Sequence, residues 1–255
     1  MYLPPHFEEK RPAALHGLVR AHPLGLLVTH GAAGLQANAI PFVLEPDPAG
    51  GPGILRAHVA RANPAWRDAG TEALVVFQGA QAYVSPAFYA AKAEHGRVVP
   101  TWNYLMVQGR GTLRALDDAP WVRAFVTQLT DRHEAPRAAP WAVSDAPGDY
   151  IDNLLKAIVG IEIVLSTLTG KWKVNQHRSL ADREGVARGL RAAGRGAAEA
   201  RQLGGAGGVD FESDTDAAAE AAGPADAAGG GDTGDAGGGG GGGGDGGGGG
   251  GGGGD

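Results

Sequence analysis

From Gly194 onward the chain is almost entirely Gly, Ala, Asp and Glu. Its last stretch, 229–255, is glycine broken only by Asp232, Thr233, Asp235, Ala236, Asp245 and Asp255. Such a segment has too little apolar surface to offset the entropy of ordering. It is therefore predicted as a disordered coil. The glycines follow no G-X-Y period, which excludes collagen. A fold has to come from what precedes, roughly 190 residues, enough for one domain with a real core. Residues 1–191 are assigned to that domain and 192–255 to an acidic tail.

Charge divides at the same place. The net is +3 over 1–191 and −9 over 192–255, which together make the −6 of the chain. The acidic balance belongs to the tail, and the near-neutral domain signals no broad nucleic-acid face. Cysteine is absent, which excludes disulfides, thiolate catalysis and cysteine-held metals. The first residues, MYLPPHFEEK, lack the apolar region of a signal peptide. No apolar run reaches the ~20 residues of a membrane span. A cytoplasmic protein without a membrane partner is expected.

Apolar periodicity and breakers give the elements. Pro12 opens a helix over 12–21, with Leu15, Leu18 and Val19 on one face. Residues 24–30 read as a strand, 31–34 as a hairpin turn and 35–45 as the return strand. Pro41 inside that strand implies an edge or a bulge. Residues 54–59 form the next strand, and NPAW a short helix. Residues 72–79 and 81–86 read as a strand pair around Gly79, and 86–97 as loop or short helix. Residues 99–116 are one long strand, bent near Gly109 and Gly111. Helices are expected over 119–134 and 147–160, a last strand over 161–174, and a terminal helix from Ser179. About six or seven strands in short hairpins, with helices at the edges, suggest a small antiparallel barrel. Parallel βαβ units do not fit, because helices and strands do not alternate.

Several motifs fail. Gly109-Arg110-Gly111 lacks the third glycine of a dinucleotide fingerprint, and Gly170-Lys171 lacks the rest of a P-loop. No pair of histidines has zinc spacing, so no metal site is expected. Neither a G-x-S-x-G elbow nor a helix-turn-helix is visible. What remains is polar residues near strand ends: His58, Arg61 and Asn63; Tyr83 and Ser85; Thr101, Trp102 and Asn103; Lys171, Trp172, Lys173, Asn175, Gln176 and Arg178. Each has an ordinary reading. Asn63 before Pro64 suits a helix cap, the tryptophans suit a core, and the lysines share one solvated strand face.

These residues also carry a resemblance. The blocks MYLPPHFEE, AHPLGLLVT, ANAIPF, LRAHVARANPAW, ALVVFQGAQAYVSPAFY, VVPTWNY, LTDRHE, PWAVSDAP and GKWKVNQHR occur in order over about residues 1–190. Together they resemble the PaiB-type, FMN-binding negative transcriptional regulators, relatives of the split-barrel flavoproteins. The resemblance implies a mainly β fold with peripheral helices, an antiparallel FMN-binding split β-barrel. It also implies a homodimer with FMN at the subunit interface. On that basis His58, Ala60, Arg61 and Asn63 would cradle the FMN phosphate, since a guanidinium and close backbone approach suit a dianion. Asn38, Ile40 and Pro41 would lie along the isoalloxazine ring. Tyr83, Ser85, Trp102 and Asn103 would close the site, with Lys171, Lys173 and Gln176 added from the last strand. No catalytic residue is implied, and a binding protein is favoured over an enzyme. DNA is a candidate partner only through the family label. The alternatives are an FMN-dependent oxidoreductase of the pyridoxamine-phosphate-oxidase type, in which the cofactor carries the chemistry, and a haem-binding split barrel with His58, His95 or His177 as axial ligand.

Overall fold

The computed structural model describes residues 1–32 and 34–206. Eight strands form one antiparallel sheet: β1 (Glu8–Glu9), β2 (Leu24–Gly31), β3 (Gly34–Pro41), β4 (Val43–Glu45), β5 (Ile54–Ala60), β6 (Glu72–Val84), β7 (Thr101–Leu116) and β8 (Ile158–Lys173). The strand order is β3-β2-β6-β7-β8-β5-β4, with β1 alongside β8. The outermost strands, β3 and β4, are separated in sequence by Phe42 alone. Both edges of the sheet therefore belong to one kinked run of chain, and the sheet has to wrap round on itself.

Pro41 stands at that kink, where its missing N–H ends the ladder. Phe42 turns inward and packs edge-on against Phe77, 5.9 Å between ring centres. Across the seam, the Asn63 side-chain amide donates to Asn38 Oδ1 at 2.9 Å. No strand ladder closes it among the described residues. The fold is an α+β antiparallel barrel split along one seam, the class expected above.

The interior is filled from alternate strand positions. Leu27, Leu55, Val75, Phe77, Leu105, Val107, Leu113, Ile161 and Ile163 are fully buried. Around the barrel lie α1 (Pro12–Ala21), α2 (Ala91–His95), α3 (Ala119–Glu134), α4 (Gly148–Leu155), α5 (Leu180–Ala192) and α6 (Ala197–Gly204). Helix α1 buries Leu15, Leu18 and Val19 against β4, β6, β7 and β8. Helix α3 starts where Asp118 accepts a hydrogen bond from the Trp121 N–H, an N-cap. No helix among the described residues is long and apolar enough to cross a membrane.

Three expectations are corrected. First, 72–86 is not a strand pair. β6 runs unbroken to Val84, with a register shift between Gln78 and Gln81. A Cβ on Gly79 would lie 3.1 Å from Leu18 Cδ1, so the glycine marks a bulge under α1 rather than a turn. Second, the helix expected to reach 160 ends at Leu155. Ile158 and Val159 are β-branched and pair instead with Ala60 and Val59. Third, the domain does not stop at 191. Helix α6 buries Ala200 and Leu203 completely against α5, β6 and β7. Two apolar side chains suffice because the docking groove is already formed. The disorder expected over 207–255 lies outside the described residues, as does Ala33 in the 31–34 turn.

Candidate functional site

Antiparallel partners point to the same face of a sheet, so the registers define two outer surfaces. One is covered. Around β5 and the first half of β8, α3 lays Trp121 and Phe125 on the sheet, stacked 5.3 Å apart. The ring of His58 packs 6.0 Å from Phe125. Gly160 permits this approach, since a Cβ there would lie 2.2 Å from Trp121 Cζ3. The other surface, on β2, β3, β6 and the start of β7, is left open by the helices among the described residues, and large apolar side chains stay exposed on it. Leu24, Leu26, Leu35, Tyr83 and Trp102 are between 42% and 76% exposed there. Isolated exposed apolar residues are ordinary, but a shared apolar sheet face marks a binding surface.

Tyr83 and Trp102 are cross-strand partners on this surface, edge to face with centres 6.3 Å apart. Next to them, Lys171 Nζ lies 5.5 Å from the ring centres of both Tyr2 and Tyr104 and donates to Tyr2 O at 3.0 Å. Lys173 donates to Thr101 Oγ1 and to Trp102 O. Burial lowers the Lys173 pKa, and neighbouring Lys171 lowers it further. A cavity of about 270 Å³ opens here, lined by Gln78, Gln81, Trp102, Tyr104 and Met106 among others.

A second group forms at the turn after β5. Asn63 Oδ1 accepts from the Ala65 N–H at 3.0 Å, while its amide reaches Asn38. The Nδ2 of Asn38 is buried without a hydrogen-bond partner among the described residues. Arg61 is bidentate to Asp117, both contacts at 2.7 Å, and donates to the carbonyls of Lys156 and Ile158. That hydrogen bonding holds the Asp117 carboxyl below its usual pKa. The backbone N–H of Arg61 donates to Ala157 O, and that of Asn63 to Ala60 O. Ala60 is exposed and Ile40 is in the core. Arg61 and Asp117 line an open cavity of about 690 Å³ together with Arg123, Asp152 and Lys156.

The other candidates stand apart from both groups. His58 lies beneath α3. Ser85 caps the turn at 86–88 through the Ala87 N–H. Asn103 points inward and donates to Leu203 O at 2.7 Å. Gln176 bridges the Trp172 carbonyl and the Val174 N–H. Pro41 pairs with Leu24 at the sheet edge. Sequence reasoning missed Tyr104 and Met106, although the period-2 spacing from Trp102 places them on its face. It also missed Asp117, which no local pattern links to Arg61.

The residues fit a flavin. An apolar, aromatic face is available for a ring and the Asn38 amide for a polar edge, and the Arg61 guanidinium, now held by Asp117, is the group that could turn to a phosphate. The fold is a split barrel. The chain belongs to the family described as "Putative FMN-binding domain", whose model matches residues 1–167, and FMN is its cofactor. It is 35% identical over 226 residues to an uncharacterised protein of Emericella nidulans, covering 74% of this chain and 90% of that one. It is 27% identical over 186 residues to the protease synthase and sporulation protein PAI 2 of Bacillus subtilis, covering 71% and 85%. Among solved structures, the FAD- and haem-binding protein of Mycobacterium smegmatis aligns with a TM-score of 0.48 and 19% identity, over 65% of this chain and 73% of that one.

Proposed function

We propose that the protein is a cytoplasmic, homodimeric FMN-binding regulator of the PaiB type, with each flavin held between two protomers. One observation carries this. Lys173, beside the aromatic pair, and Ile158, beside Arg61, are the two ends of β8, a 16-residue strand that extends for roughly 50 Å. The two groups thus lie at opposite ends of one long strand, which favours a flavin shared between protomers over one spanning both groups of a single protomer. A second protomer laid on the uncovered face would bury Leu24, Leu26 and Leu35 and bring its own Arg61 turn toward the first protomer's Tyr83 and Trp102.

In this arrangement Tyr83 and Trp102 orient the ring and exclude water. The amides of Asn38 and Asn63 meet a polar edge. Arg61 holds the phosphate once Asp117 releases it. Bound FMN supplies reversible one- and two-electron chemistry. The sporulation name of the Bacillus relative supports a regulatory role. Helices α5 and α6 turn their apolar faces to the barrel, so regulation would run through the flavin or a metabolite rather than through a DNA-reading helix.

The 270 Å³ cavity beside Trp102 favours a second reading, an FMN-dependent oxidoreductase that admits a small substrate there. Purified protein, its visible spectrum, light scattering and an NAD(P)H turnover assay test both. A yellow dimer without turnover supports the regulator. Steady turnover shifts the assignment to the oxidoreductase, and a monomer that takes up no FMN overturns both.

A further inference from the structure

Beyond β8 the chain turns through Val174–Arg178 and meets the N-terminal 3-10 turn Pro5–Phe7. A cavity of about 280 Å³ lies between them. Lys173, Asn175, His177 and Arg178 line one side, and His6 and Tyr89 contribute to the rest. No carboxylate lines it among the described residues.

Arg178 lies over the Tyr89 ring, 5.0 Å from its centre. Its Nε is buried without a hydrogen-bond partner among the described residues. Asn175 is 3% exposed, and its Nδ2 is likewise buried and unpartnered. Its backbone is held at φ 64°, the left-handed region that favours glycine. A left-handed backbone is thus held at a residue that lines the cavity and carries a buried, unused amide nitrogen. His177 packs 5.8 Å from His6. Burial lowers its pKa first, followed by Arg178, His6 and Lys173, as expected where basic groups crowd together.

Buried donors without partners are costly, and like charges repel. A guanidinium fork, an amide and an ammonium around one space match a carboxylate or phosphate oxygen set. We infer that this cavity binds the carboxylate or phosphate group of a small-molecule anion, distinct from the flavin. The inference rests on the proposed reading that the flavin phosphate lies at the Arg61 turn. If the flavin does stack near Tyr83 and Trp102, Lys173 joins the two sites, because it bonds Trp102 O.

Calorimetry on the full-length, FMN-loaded protein tests this, with inorganic phosphate and succinate as probes. Saturable binding of either probe is expected. Arg178→Gln should weaken it by about tenfold or more, the effect of losing a charge-assisted hydrogen bond. Asn175→Gly keeps the left-handed backbone and removes the amide together with its long 3.4 Å bond from the Tyr89 hydroxyl. It should weaken binding with the melting temperature retained, which covers the case of Arg178→Gln failing to fold. Equal binding by wild type and both variants, or no binding of either probe, overturns the inference. A parallel titration with FMN and riboflavin separates the sources. If the loaded protein rejects both probes and Arg178→Gln lowers FMN affinity but not riboflavin affinity, the seat belongs to the flavin phosphate and a distinct ligand is excluded.

Discussion

The side-chain amide of Asn103 donates a 2.7 Å hydrogen bond to the carbonyl oxygen of Leu203. Both residues are fully buried. The contact ties the central strand β7 to the last described helix, so α6 is part of the barrel's support. Leu203→Ala should cost about 2–5 kcal/mol, the range for a large-to-small core substitution. Truncation after Gly194 should lower the melting temperature, because it removes both the helix and the acceptor for Asn103. Urea and thermal unfolding of the two variants measure the effect; unchanged stability would mean that α6 does not dock.

Arg61 and Asp117 test the flavin phosphate seat. In the proposed site Asp117 competes with the phosphate for one guanidinium. Asp117→Asn should raise FMN affinity relative to riboflavin, and Arg61→Ala should lower it by about ten- to a hundredfold. Arg61→Lys should restore only part, since an ammonium lacks the planar fork. Fluorescence titration of both flavins reads the ratio. A constant ratio across all three variants would leave Arg61 as a structural pin for the carbonyls of Lys156 and Ile158.

The uncovered sheet face is expected to be the dimer surface. A charge placed there in the monomer would remain solvated, but in an interface it would be desolvated without a partner. Leu26→Glu should therefore shift the protein toward monomer, with FMN affinity falling in parallel. Light scattering across a concentration series measures this. A dimer that survives Leu26→Glu with full FMN binding would place the interface elsewhere.

Acid should weaken the fold through His58. Burial lowers its pKa below the ordinary value of 6.5, and its Nδ1 is buried without a hydrogen-bond partner. Below about pH 6.5 the unfolded chain binds a proton there that the folded chain resists. The contribution is complete above that pH and is lost as pH falls toward the depressed folded value. Burial acts in the same direction at His16, His22 and His177. Urea midpoints at pH 7.5 and 5.5 should converge partly in His58→Phe. A wild-type-like loss of stability in that variant would assign the acid sensitivity to the other histidines.

The sequence by itself determined the local elements wherever a local device sets them. Pro12 starts α1 and Asp118 caps α3, and both helices have the predicted bounds. Pro41 marked the place where the return strand breaks into β3 and β4. Period-2 spacing put Lys171 and Lys173 on one strand face, while the strand registers brought Tyr83 and Trp102 onto it. Tertiary structure decided the rest. Whether Gly79 turns the chain or bulges it depended on Leu18 packing from α1. Whether two apolar residues in a Gly/Ala-rich segment form a helix depended on the groove that receives Leu203. Asp117 found Arg61 across 56 positions, and the cationic cavity joins His6 to Arg178 because β1 pairs with the far end of β8. Caps and periodicity act over a few residues, whereas ion-pair choice and cavities depend on which distant segments the barrel brings within a few ångströms.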